Sequence, residues 1–335
     1  MHAYESRLRP LLAYLAHTAP TTPTTWQAWS VTPVAGGANN RLYRTTDTHV
    51  DLAIKFTIRD QRDRAGREYA ALSALAQVGS AIAPQPILLD QTCYDLPVIV
   101  QTWLEGTLLA LPAQDDEWLS LLHHLVTIHA VSQKATTISL MPAVLNAASV
   151  QACRTLVAEQ LDHLPSPHQS PALRTLVQHL EKSLPRDWTP PALRLCRVDP
   201  NLSNFICRPA GIASIDWENS GWGDPAFEIA DMMTHPAYRT IPCSRWTWVI
   251  ENYCAMVNDA TVATRITVYY KTMLVWWAVR FARMLYEVPQ GLDQRLVPRP
   301  QNWEQDIRAK YDEYLTRAES QMCKRSGGCL FRGEI

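Results

Sequence analysis

Two regimes of apolar patterning divide the chain. From about residue 27 to 102, short apolar runs with strand spacing are separated by turn residues, and a single stretch, Arg67 to Leu75, has a helical period instead. The order reads strand, Gly turn, strand, strand, helix, strand, strand. Ala83-Pro84-Gln85-Pro86 stops the helical stretch, because the residue before a proline is pushed out of the helical region. From about residue 107 onward the 3.6-residue period dominates. It predicts helices over 115–131, 150–163, 171–184, 226–234, 244–258, 261–287 and 301–322, with short strands within 193–216. Asp115-Asp116-Glu117 supplies acidic residues at a helix start, and Pro165, Pro167 and Pro171 punctuate the next two helices. Ahead of the strand region, 4–17 reads as a short helix and 18–25 as a Pro/Thr linker. There is no internal repeat.

This pattern predicts an α+β chain with two lobes. Residues 1–102 form a small N-lobe with an antiparallel sheet and one helix. Residues 103–323 form a larger, mainly helical C-lobe, and 324–335 a flexible tail. At 335 residues the chain can bury a large core, and an apolar fraction of 47% excludes a disordered protein. With 31 basic and 32 acidic side chains, nothing in the charge points to nucleic acid. No apolar run approaches a membrane span. Eight cysteines lie scattered without a CxxC pair, as expected of reduced thiols in a cytoplasmic protein. The oligomeric state is left open.

The chemistry is carried by Leu195-Cys196-Arg197-Val198-Asp199-Pro200-Asn201-Leu202-Ser203-Asn204-Phe205, followed by Ser214-Ile215-Asp216-Trp217-Glu218. Phosphoryl transfer to a hydroxyl needs a carboxylate to receive that hydroxyl, here Asp199. It also needs oxygen ligands for Mg²⁺ on the nucleotide phosphates, here Asn204 and Asp216. Taken alone, Asp-Pro-Asn is ordinary turn chemistry. The upstream residues change the balance. Lys55 stands in the apolar strand Ala53-Ile54-Lys55-Phe56, suited to phosphate, where the plain alternative is an edge-strand lysine. Glu68, at the start of the helical stretch, can pair with it. Gly36 and Gly37, with Asn40, form a turn between two strands whose amides can approach phosphate. Gln101 and Trp103 lie in the 101–106 link, where adenine would be read through backbone groups. No GxxxxGK[ST] or GxGxxG motif is present, which excludes a P-loop.

In these segments the chain resembles the aminoglycoside phosphotransferase and choline kinase superfamily, over roughly residues 30 to 290. The most specific match is Ile215-Asp216-Trp217-Glu218-Asn219-Ser220-Gly221-Trp222-Gly223-Asp224-Pro225, similar to the family's metal-Asp segment running through Gly-Asp-Pro into a helix. The resemblance implies a protein-kinase-like fold and an ATP-dependent small-molecule kinase, with GTP as the other candidate nucleotide and a small-molecule hydroxyl as acceptor. The family's usual His, two residues before the catalytic Asp, is replaced by Arg197. That departure carries the alternative reading, a catalytically inactive nucleotide-binding or scaffolding relative. Trp217, Glu218 and Trp222, so near the metal Asp, are expected to line the acceptor pocket.

Overall fold

The computed structural model describes residues 2–323 apart from Gly36, Ala38 and Gln294. Expectations for Gly36 and for the tail 324–335 therefore lie outside the described residues. After helix α1 (His2–Thr18) come β1 (Thr24–Trp26), β2 (Trp29–Val34), β3 (Asn40–Thr46) and β4 (Asp51–Thr57), then α2 (Arg64–Gln77), β5 (Pro86–Asp90) and β6 (Val98–Thr102). The strands make one antiparallel sheet in the order β1-β2-β3-β4-β6-β5. The expected order holds, and β1 is an addition. Thr24 and Thr25 of the Pro/Thr segment pair with β2, because β-branched threonine suits an edge strand.

Side chains on successive strand residues point to opposite faces. Ile54 and Phe56 of β4, with Val98 and Val100 of β6, face a cluster capped by Leu8, Leu11, Leu12 and Leu15 of α1. Lys55 is thereby turned to the opposite face, toward α2. Its register partner on β6 is Ile99, and Gln101 follows two residues on, along the same face.

The chain continues through β7 (Thr107–Leu108), α3 (Asp115–His129), α4 (Val150–Asp162) and α5 (Pro171–Ser183). Two small antiparallel ladders carry the catalytic segment. One is β8 (Arg194–Cys196) with β11 (Gly221–Gly223); the other is β7 with β9 (Phe205–Arg208) and β10 (Gly211–Ser214). Gly221 is required there by close approach, since a Cβ would meet the Met141 carbonyl oxygen at 2.2 Å. Helices α6 (Pro225–Thr234), α7 (Cys243–Met256), α8 (Val262–Glu287) and α9 (Trp303–Cys323) complete the helical part around a large apolar cluster. None of the described helices is long and apolar enough to cross a membrane.

Trp217 and Trp222 do not line a pocket. Trp217 is fully buried, donates its indole N–H to Ser214 O at 2.9 Å, and packs with Trp222 against Ala71, Leu72 and Leu75 of α2, Ile99 of β6 and Leu195 of β8. The two tryptophans join the sheet region to the catalytic ladder. Their expected acceptor role is corrected: burial takes these large apolar rings, neighbours of Asp216 in sequence, into the seam between the two parts.

Asp224 caps α6 by accepting from Ala226 N at 3.0 Å. Its carboxylate also takes two bonds from Arg265, at 2.7 and 3.1 Å, and one from Tyr269 Oη at 2.7 Å, all away from solvent. Asp224→Ala should destabilise the fold by about 3–5 kcal/mol, because a buried guanidinium loses its bidentate partner. The drop is read as a lower urea midpoint at unchanged slope; an unmoved midpoint would deny the cap its structural weight.

Candidate active site

Lys55 is the centre of the site. Its ammonium, 4% exposed, donates to Glu68 Oε2 at 2.8 Å and to Asp216 Oδ1, and stands 3.3 Å from Glu218 Oε2. Burial by itself would lower the lysine pKa; the carboxylates of Asp216, Glu68 and Glu218 reverse this and hold it well above the ordinary value. Glu68 is pushed upward, mainly by burial, against the pull of Lys55. Burial also acts to raise Asp216, yet Lys55, with Arg197 and Arg64, carries it below the usual carboxylate range.

Glu218 therefore belongs to the lysine side rather than to an acceptor pocket, which corrects its expected role. It is ion-paired to Arg64, whose Nε also bonds Asp60 at 2.8 Å. Spacing explains the arrangement. Arg64, Arg67 and Glu68 lie on one face of α2, three and four residues apart. Arg64 reaches Glu218, Arg67 donates to Ser220 O at 2.9 Å and Pro142 O at 2.6 Å, and Glu68 reaches Lys55. Sequence reasoning found Glu68 and missed both arginines, although their spacing was the available signal.

The loop that carries Asp199 is strained and heavily fastened. Val198, Asp199 and Asp216 have φ of 61°, 64° and 62°, a left-handed conformation costly for non-glycine residues and severe for a β-branched valine. Buried Glu228, on α6, accepts from Arg197 N at 3.2 Å and Val198 N at 3.0 Å and is paired to His129 Nε2 at 2.9 Å. Burial tends to raise Glu228; His129 and Arg197 outweigh it and keep the carboxyl below its ordinary value. Arg197 donates to Asp199 O and, at 3.2 Å, to Ile215 O, and its guanidinium lies 4.7 Å from the centre of the Phe205 ring. It thus ties the catalytic loop to the strand end that carries Asp216. Arginine at this position supports loop geometry.

Asn204 donates Nδ2 to Asp199 O at 3.3 Å, which leaves Oδ1 as the atom to offer a cation. Ile215 N bonds Asn204 O at 2.9 Å, setting Asn204 beside the Asp216 segment. Oxygen atoms of Glu68, Asp216 and Glu218 also lie within 4.8 Å of one another. Lys55 fills that set, so the oxygens that could serve Mg²⁺ are those of Asp216 together with Asn204 Oδ1. Asp199 is raised above the ordinary aspartate value, chiefly by burial, with Arg197 opposing and Asp216 adding to the rise.

At the far end of the Lys55 face, Gln101 is buried and its Oε1 has no hydrogen-bond partner. The main chain of Gln101 is in register with Ala53 on β4 and Pro86 on β5. The Trp103 amide donates to Asp51 O at 2.9 Å. The Trp103 amide is thereby taken within the sheet, and Gln101 offers a side-chain oxygen at the start of the link. Gly37 has φ 76°, and a Cβ there would meet Asn40 Oδ1 at 2.5 Å, so the turn leading into β3 requires glycine.

Replacing Lys55 by methionine tests the cluster through pH. Without the ammonium, Glu68, which burial already pushes upward, would lose the pull that opposes the rise and hold its proton still more tightly folded than unfolded, so stability should fall as pH rises through its raised pKa. Lys55→Met should accordingly lose more stability at pH 8 than at pH 5 in urea unfolding. An equal loss at both pH values would show that the carboxylates do not depend on Lys55.

The model of the phosphotransferase enzyme family, APH, matches residues 30–249. The thiamine kinase of Shigella boydii is 28% identical over 226 residues, covering 64% of this chain and 66% of that protein. The chain thus spans just under two thirds of that relative's length. Among solved structures, a choline/ethanolamine kinase family protein from Mesorhizobium loti superposes with a TM-score of 0.60 at 16% identity, over 97% of this chain and 96% of that one. A mutant aminoglycoside phosphotransferase, APH(4)-Ia, in complex with ADP and hygromycin B, gives 0.59 at 13% identity, over 89% and 95%. The kinase-like fold is shared, and the match over most of the chain, together with the lysine–carboxylate cluster, establishes that this chain belongs to the APH phosphotransferase enzyme family.

Proposed function

We propose that this protein transfers the γ-phosphoryl group of ATP to a hydroxyl of a small molecule. The observation that carries the reading is the approach of Lys55, distant in sequence, to the segment of Asp199, Asn204 and Asp216, with both aspartates in left-handed backbone. Lys55, directed by Glu68, takes the phosphates. The turn at Gly37 and Asn40 lies over them, and the Gln101 side chain and the link after it meet the base. Asn204 and Asp216 would hold Mg²⁺, which when bound neutralises phosphate charge. Asp199 receives the acceptor O–H proton as the new O–P bond forms and the bond to ADP breaks. Little covalent work falls to the protein; positioning and charge do most of it. The bonds made by Arg197 favour this active reading over an inactive relative, because they hold Asp199 and the Asp216 strand end in one piece.

Thiamine, choline, ethanolamine and hygromycin B, each offered with Mg²⁺-ATP, form the acceptor panel. The relatives' names motivate these four. Formation of ADP that depends on one of them supports the reading.

Asp199→Asn keeps the shape and removes the base, so kcat should fall on the order of 10² or more while the KM for ATP stays within a few-fold. The raised pKa of Asp199 adds a sign. The base works only when ionised, so kcat/KM should drop toward acid with a midpoint above the ordinary aspartate value of about 3.9. A variant that bound ATP poorly but turned over normally at saturation would make Asp199 a metal or structural residue.

Mg²⁺-ATP should raise the melting temperature of the wild type, since only the folded chain binds it, and Lys55→Ala should remove most of the rise. A wild-type curve unmoved by millimolar ATP and GTP would sink the nucleotide assignment.

A further inference from the structure

Beyond Asp199, on the side of α6, stands a histidine that sequence reasoning did not single out. His235 follows the last residue of α6, and its Nε2 lies 3.9 Å from Asp199 Oδ1. The separation is too long for a direct hydrogen bond and too short for a water between the two in line. Both side chains are reached by solvent, Asp199 being 33% and His235 14% exposed.

The ring's tautomer follows from its other nitrogen. Ala237 N donates to His235 Nδ1 at 3.2 Å, so Nδ1 is an acceptor and the proton of the neutral ring sits on Nε2. Burial, with Arg197 and Lys310 adding to it, lowers the histidine pKa to about 4, which keeps the ring neutral at pH 7. An N–H donor therefore faces a carboxylate acceptor across a gap one oxygen can bridge. An oxygen at normal hydrogen-bond distance from both atoms would see them roughly 90° apart, within reach of one hydroxyl that donates to one and accepts from the other.

We infer that His235 binds the acceptor hydroxyl, donating from Nε2 to the oxygen whose own proton points at Asp199. The inference rests on the proposed phosphotransfer and names a residue that would orient its nucleophile. With two partners the hydroxyl loses its rotational freedom, and a lone pair remains to be directed at phosphorus. The surroundings fit a polar ligand here. Trp277, whose ring meets His235 edge-on at 5.7 Å, has a buried indole N–H without a partner. Asp231, one turn before His235, has a buried Oδ1 without one.

Two substitutions separate this role from a structural one. His235→Asn keeps an acceptor for Ala237 N at the Nδ1 position and removes the Nε2 donor. His235→Gln can place an amide N–H near Nε2 and surrenders the cap. Initial rates are measured with whichever panel compound the wild type phosphorylates. Asn should lower kcat/KM for the acceptor about ten- to a hundredfold, as for a misplaced reacting group, with the KM for Mg²⁺-ATP unchanged within twofold. Gln should recover most of that loss. A merely structural histidine would give the reverse order, with Asn close to wild type and Gln impaired, and that result overturns the inference. So does a loss of equal size in both variants. Failure of the functional reading looks different: the wild type itself would then phosphorylate none of the panel, and the assignment of His235 would fall with it.

Discussion

An ammonium buried among three carboxylates is the constraint on which the rest of the structure depends. Lys55 comes from the sheet, Glu68 from α2, and Asp216 and Glu218 from the segment after β10. None of these charges could be buried alone without a cost of several kcal/mol, so each requires the others to be in place. Arg64 and Arg67 extend the same logic by tying α2 to Glu218 and to the Ser220 and Pro142 carbonyls. The apolar seam of Trp217 and Trp222 against α2 closes the joint between sheet and helices. What reads locally as a strand, a helix and a loop is one electrostatic unit.

The second constraint is the strain held in the catalytic loop. Left-handed Val198, Asp199 and Asp216 would each relax if unsupported, at roughly 1–3 kcal/mol apiece. Glu228 binds two successive amides of the loop from α6, Arg197 binds a carbonyl of the loop and one of the metal strand, and Asn204 binds the Asp199 carbonyl. Glu228 is itself held by His129, which also bonds Tyr253 Oη at 2.9 Å. Rigid helices α3, α6 and α7 thereby fix the position of one carboxylate. Arg197 has a long reach and a planar fork, so one side chain spans both segments.

Charge also divides the site into two sides. Toward the sheet lie Lys55, Arg64 and their carboxylates, suited to phosphates and a cation. Toward α6 and α8 lie neutral donors, His235 and Trp277, next to Asp199. Asp199 stands between the two, where a hydroxyl and a phosphoryl group would have to meet.

The sequence by itself determined the elements, their order and the candidate carboxylates. Helical and strand periods are local properties, so 150–163 and 171–184 were legible to within a residue, as was the helix of 261–287. Lys55, Asp199, Asn204 and Asp216 stood out as candidates because their spacing is bound to apolar flanks, and Glu68 because it heads a periodic stretch. Tertiary structure decided the rest. Trp217, Glu218 and Trp222 sit beside Asp216 in sequence, yet burial sends two of them into the seam and the third to Lys55. Periodicity places a residue on a face but does not say what that face meets. His235 stands 36 residues from Asp199 along the chain, and only the packing of α6 against the catalytic loop brings it within 3.9 Å. A short-range pattern carries no record of such an approach, because it arises when separate elements bury their apolar faces against each other.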